Sequence, residues 1–172
     1  EEHHGVDFVR TVYAFANEFL DLSYSQFGAS TIEQQLVKNI TNDRAVEGES
    51  GYQRKMREMY RAWTLDQRYS QEMIMEAYLN TISLSGTIGG VQAGALDYFD
   101  KDVSELTLAE CAMIAGITRA PGAYDPYVNP DHCLYRRNSV LKQMLETEEI
   151  TQEEYDEAAA QPPGPARKSS RS

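Results

Sequence analysis

Gly28-Ala29-Ser30-Thr31-Ile32-Glu33-Gln34-Gln35-Leu36-Val37-Lys38-Asn39 reads as the opening of a helix. Ser30 can serve as its N-cap, and Glu33, three residues on, completes a capping box. At 3.6 residues per turn Ile32, Leu36 and Ile40 form an apolar line, while Gln34 and Lys38 lie one turn apart on the other side. Amides and a cation therefore crowd the start of a helix, where backbone N–H groups already favour an anion. The stretch predicts a helix whose first turns meet a negatively charged ligand.

Helical spacing continues outward in both directions. Upstream, Phe8, Val12, Phe15, Phe19 and Leu20 recur at three- and four-residue intervals, followed by an aromatic, polar stretch from Leu22 to Phe27. Downstream, residues 41–51, with Asn42-Asp43 and Gly48 to Gly51, read as a loop. From Gln53 to Asp66, Met56, Met59, Tyr60 and Trp63 fall at i, i+3, i+4 and i+7, which predicts a core stripe with Arg54, Arg57, Glu58 and Arg61 on the opposite face. Ser70 caps a helix through Tyr78, the glycines between Gly86 and Gly90 break it, and another helix runs from Val91 to Phe99. Thr107 with Glu110 and Thr151 with Glu154 make two further capping boxes. Between them Pro121, Gly122, Pro126 and Pro130 mark an irregular segment, and a helix carrying Leu134, Leu141 and Leu145 follows. No strand pattern of any length, internal repeat or metal-ligand spacing of His or Cys stands out, so the expected class is all-α.

Composition narrows the function. The chain of 172 residues is 41% hydrophobic and 25% charged, which suits one globular domain with a real core. Residues 1–160 carry the pattern, and 161–172, made of Pro, Gly, Ser and basic residues with little else, are expected to be a disordered tail. No apolar run approaches the ~20 residues that span a bilayer. A net charge of −11 argues against nucleic acid as a partner, since tracking phosphates takes basic residues spread over a surface. The two cysteines, Cys111 and Cys133, are expected to be unpaired.

Five segments in a fixed order carry a resemblance: Ser30 to Asn39; Arg54-Lys55-Met56-Arg57-Glu58; Tyr78-Leu79-Asn80; Gly90-Val91-Gln92-Ala93 leading to Tyr98-Phe99-Asp100-Lys101; and Arg136-Arg137-Asn138-Ser139-Val140-Leu141. Together they resemble the signatures of the family 51 peptidoglycan glycosyltransferases, the domain of bifunctional penicillin-binding proteins and of monofunctional glycosyltransferases. The resemblance implies a two-lobed, lysozyme-like helical domain with a cleft between the lobes. It implies polymerisation of lipid II into β-1,4-linked glycan with release of polyprenyl pyrophosphate, at the outer face of the bacterial cytoplasmic membrane. Lipid II, the nascent glycan strand, the membrane surface and other cell-wall synthesis proteins are the partners it implies.

The resemblance also assigns roles. Glu58 matches the family's second acidic residue and is the catalytic candidate, acting on the pyrophosphate directly or as ligand of a divalent cation, Mg or Mn. Ser30, Thr31, Gln34, Gln35, Lys38, Asn39, Arg54, Lys55 and Arg57 are the substrate-binding candidates; arginine offers a planar fork to a diphosphate and lysine a point charge. His3 matches a motif histidine that shapes the cleft wall. The family's general base is the Glu of a Glu-Asp-x-x-Phe segment, expected upstream of residue 1, as is a transmembrane anchor; the chain as written is therefore expected to bind lipid II but transfer little sugar. Two departures stand out: Glu33 where Thr is common, and Asp100 where Gly is usual. A lysozyme-like glycan hydrolase or lytic transglycosylase is the competing enzyme reading, disfavoured by the cluster of cations, and a non-catalytic module that binds lipid II or a partner is the competing non-enzyme reading.

Overall fold

Side-chain caps fix where most helices begin. The structure, a computed structural model, describes residues 32–41, 50–86 and 88–162. They form α1 (Ile32–Thr41), α2 (Gly51–Arg68), α3 (Gln71–Thr81), β1 (Ser83–Ser85), β2 (Ile88–Gly89), α4 (Val91–Phe99), a 3-10 turn (Val103–Glu105), α5 (Leu108–Thr118), α6 (Pro130–Glu146) and α7 (Gln152–Ala160). Expectations for His3, Ser30 and Thr31, for Phe8 to Phe27, for residues 42–49 and for residues 163–172 lie outside the described residues, as does the side chain of Glu33.

The predicted capping boxes at Thr107–Glu110 and Thr151–Glu154 are present, and Ser70 caps α3 by accepting the Met73 N–H. A further box moves the start of α2 two residues ahead of the predicted one: Ser50 Oγ accepts the Gln53 N–H and Gln53 Oε1 accepts the Ser50 N–H at 3.0 Å. Each such cap contributes about 1 kcal/mol.

One element departs from the all-α expectation. β1 and β2 pair antiparallel, Ser83 opposite Gly89 and Ser85 opposite Ile88, with Gly86 at φ +40° in the turn between them. Two strands this short carry too few residues for alternation to register in the sequence. Leu84, fully buried, anchors this hairpin onto α4, and its carbonyl accepts the Tyr98 hydroxyl at 3.5 Å.

The described residues divide into two compact units, one up to Ile82 and one from Ser83 on. In the second, α5 is buried continuously from Cys111 to Ile117, as expected of a helix that is apolar all round. Against it lies α6, drawn close because Gly116 has no side chain: a Cβ there would lie 2.9 Å from Arg136 Cγ. The buried Arg137 guanidinium donates to the carbonyls of Ala159 and Gln161 at 3.3 and 3.0 Å, satisfying acceptors at the C-terminal end of α7. Cys111 and Cys133 are free and buried, as expected, and burial pushes their thiols up to about 12 and about 11. Asp100 ends α4 in the left-handed region, φ 57° and ψ 37°, with its N–H on the Leu96 carbonyl at 3.1 Å; a glycine would take that conformation without strain.

A Cβ built on Gly94 would strike Leu84 Cδ1, and Leu84 is fully buried, so it must shift within a packed core. Gly94→Ala is therefore expected to destabilise the chain by about 1–3 kcal/mol in urea unfolding, even though alanine is the better helix former. A neutral or stabilising result would contradict this packing.

Candidate functional site

In the smaller unit Leu36 and Val37 of α1, Ala62 of α2 and Ile74 and Tyr78 of α3 are buried together with Ile82. The expected apolar line on α1 is corrected here: Leu36 and Val37 face inward, whereas Ile40 is exposed. The larger correction falls on α2. Its expected core stripe, Met56, Met59, Tyr60 and Trp63, is 48–68% exposed, and the residue buried beside Ala62 is Glu58, at 5%. Spacing had identified the two faces correctly and assigned them the wrong way round. Periodicity reports that a helix has two faces; which one turns inward depends on the partner helix, and α1 offers α2 amide side chains.

Those side chains account for the inward charge. Lys55 Nζ donates to Gln34 Oε1 at 2.8 Å, tying α2 to α1, and lies 3.9 Å from Glu58 Oε2. Arg54 Nη1 approaches Glu58 Oε1 at 3.6 Å from one turn earlier. The side chains of Lys55 and Arg54 are 34% and 42% exposed, against 7% for Glu58. A carboxylate is thus held almost out of water beneath two cations that still reach it, an arrangement that burial of a charge requires. On α3 the buried Tyr78 hydroxyl donates to Gln35 Oε1 at 3.4 Å, and burial pushes the phenol up to about 12. The two adjacent glutamines of α1 therefore face two different helices.

Of the predicted site residues, the structure brings together Gln34, Arg54, Lys55 and Glu58, and places Gln35 on Tyr78. Arg57 is half-buried on the same helix. Lys38 and Asn39 are exposed on α1, and no described contact draws Lys38 to the Arg54–Glu58 group. Tyr78 was missed as a site neighbour; its signal was the Tyr78-Leu79-Asn80 motif, which gives the residue no role by composition alone.

No group of three or more His, Cys, Asp or Glu side chains that could hold a metal occurs among the described residues. Glu58 has cations, not further carboxylates, around it. The donors that the described residues set around Glu58 do not by themselves fit Mg or Mn.

Comparison with known proteins gives the family to which this helical unit belongs. Residues 1–145 match the family model described as Transglycosylase, and the chain belongs to the transglycosylase family. Penicillin-binding protein 1A from Clostridium perfringens is 41% identical over 167 residues, covering 91% of this chain and 24% of that protein. The protein of that name from Aquifex aeolicus is 41% identical over 162 residues, 93% of this chain and 21% of its own length. The chain thus spans less than a quarter of these relatives. A crystal structure of penicillin-binding protein 1A from Haemophilus influenzae is 30% identical, with a TM-score of 0.48 over 76% of this chain and 16% of that one.

Removing one member of the Glu58 group separates their contributions. Lys55→Met is expected to cost about 1–2 kcal/mol in urea unfolding, since it removes the donor to Gln34 Oε1 and leaves Glu58 with one cation. Arg54→Met, which removes only a longer contact, should cost less than half as much. The reverse order would show that Arg54 carries the site.

Proposed function

We propose that this domain is a peptidoglycan glycosyltransferase that polymerises lipid II. The acceptor's 4-hydroxyl attacks the anomeric carbon of the donor, a new glycosidic bond forms, and the bond to polyprenyl pyrophosphate breaks with its electron pair on the departing oxygen. The observation that supports this reading is the Arg54–Lys55–Glu58 group, which lies within the residues that match the Transglycosylase family model. Arg54, Lys55, Arg57 and Lys38 supply positive charge for a diphosphate, and such charge lowers the barrier most where negative charge grows in the transition state. Glu58 orients two of these cations from beneath, so that they need not reorganise when the pyrophosphate departs. Any divalent cation would be held chiefly by the substrate's own diphosphate oxygens. The proton of the attacking hydroxyl passes to a general base outside the described residues.

Placement at the outer face of the cytoplasmic membrane belongs to the same proposal. Among the described residues no helix is long and apolar enough to cross a membrane. What supports contact with a lipid surface is the outward face of α2, where Tyr52, Met56, Met59, Tyr60 and Trp63 are all 48–75% exposed on the helix that carries Arg54 to Glu58. Tyrosine and tryptophan favour the level of the headgroups. A lipid-linked pyrophosphate would meet its apolar and its charged partners on one helix. The nascent glycan strand and other cell-wall synthesis proteins complete the proposed partners.

With lipid II as substrate, and in a protein extended upstream to carry the Glu-Asp-x-x-Phe segment, Glu58→Gln is expected to lower glycan polymerisation by at least ~100-fold relative to the same protein without the substitution, with circular dichroism unchanged. Near-normal turnover would remove Glu58 from the catalytic group. Release of sugar from finished glycan, without use of lipid II, would favour the hydrolase reading.

A further inference from the structure

We infer that α7 is a detachable latch: the Arg137 guanidinium grips it by its C-terminal end, and it releases as a unit while α4, α5 and α6 stay folded. This gives a task to the Arg136–Leu141 segment, which the proposed chemistry leaves unused, and it does not depend on that chemistry.

Glu58 and Arg137 are the two buried charged side chains among the described residues. Glu58 has cations beside it, whereas the described partners of Arg137 include no carboxylate. The guanidinium donates instead to backbone: Nη1 to the carbonyls of Gln161 at 3.0 Å and Pro162 at 3.4 Å, and Nη2 to that of Ala159 at 3.3 Å. Asn138 Oδ1 accepts from Nε and Nη2 at 3.1 and 3.0 Å. The three carbonyls sit where a helix leaves its acceptors without helical partners and where its dipole is negative, so they answer the buried charge. Thr107 Oγ1, at the N-cap of α5, adds a bond to Gln161 Oε1 at 3.0 Å. The grip therefore closes on residues 159–162.

Little else holds this helix. Only Ala158 of its nine residues is buried, and a helix this short is marginal by itself in water. One buried alanine contributes far less than the apolar run from Cys111 to Ile117 that α5 gives the same unit. Few buried apolar contacts and a polar attachment are the marks of a segment that opens locally. The clamp makes that opening cheap, because on release both the carbonyls and the guanidinium meet water, and the contact of α5 with α6 need not break. Arg137 and Thr107 also lie within residues 1–145, which match the family model, whereas α7 lies beyond them.

Native-state hydrogen exchange of the full chain, resolved by residue, tests the latch. The amides of α7 are expected to be at least about 100-fold less protected than those of α5. Their exchange should hardly respond to sub-denaturing urea, since urea sensitivity scales with the surface an opening exposes, while exchange in α5 rises steeply. Equal protection and equal urea dependence would mean that α7 opens only with the whole unit, and would overturn the inference. Arg137→Gln is expected to speed exchange in α7 at least about 10-fold, the size of a lost bond to a charged group. Unchanged exchange in α7 would show that the guanidinium does not hold it. Should Arg137→Gln fail to fold, Gln161→Ala, at a half-exposed position, removes the Thr107 bond and is expected to speed exchange in α7 about 3-fold; no change there would overturn the inference equally.

Discussion

Glu58 is a carboxylate taken almost out of water, and the smaller unit is arranged around the charge that this burial demands. An isolated ionised carboxylate in such a place costs several kcal/mol, so cations must stand within reach of it. Arg54 and Lys55 do so from the same helix, one turn earlier, and Gln34 of α1 restrains the lysine. Once this group faces α1, the remaining faces of α2 have no choice. Its methionines, tyrosines and tryptophan must turn outward, and they do.

That inversion marks the boundary of what the sequence could say. Helix positions were legible because their ends are written in short-range chemistry: Ser70, Thr107 and Thr151 cap where spacing placed them, and Val91 to Phe99 is helical throughout. The members of the candidate site were legible too, since Arg54, Lys55 and Glu58 fall at helical spacing within one motif. The burial of Glu58 was not. Apolar residues at i, i+3, i+4 and i+7 usually mark a core, and only the amide-bearing face of α1, far away in sequence, reverses the rule. The hairpin at Leu84 was hidden by its length, and the role of Arg137 by distance: its carbonyl partners lie more than twenty residues on.

The two faces of α2 also join the fold to the proposed chemistry. A lipid-linked pyrophosphate is itself split into a charged group and a long apolar chain. A helix that turns its half-buried cations toward a neighbour and exposes an aromatic, methionine-rich stripe offers the proposed substrate a partner for each part. The same division fits the proposed anionic ligand to a chain with a net charge of −11, because Arg54, Lys55, Arg57, Arg61 and Arg68 share one helix and Glu58 lies beside two of them.

Trp63 reports directly on this arrangement, because it is the chain's one tryptophan and lies on the outward stripe at 59% exposure. Its fluorescence in the native protein, without lipid or detergent, is predicted to show the red-shifted emission of a water-exposed indole and to be quenched readily by acrylamide. A blue-shifted emission shielded from the quencher would mean that the stripe faces the core, and the burial of Glu58 would fall with it.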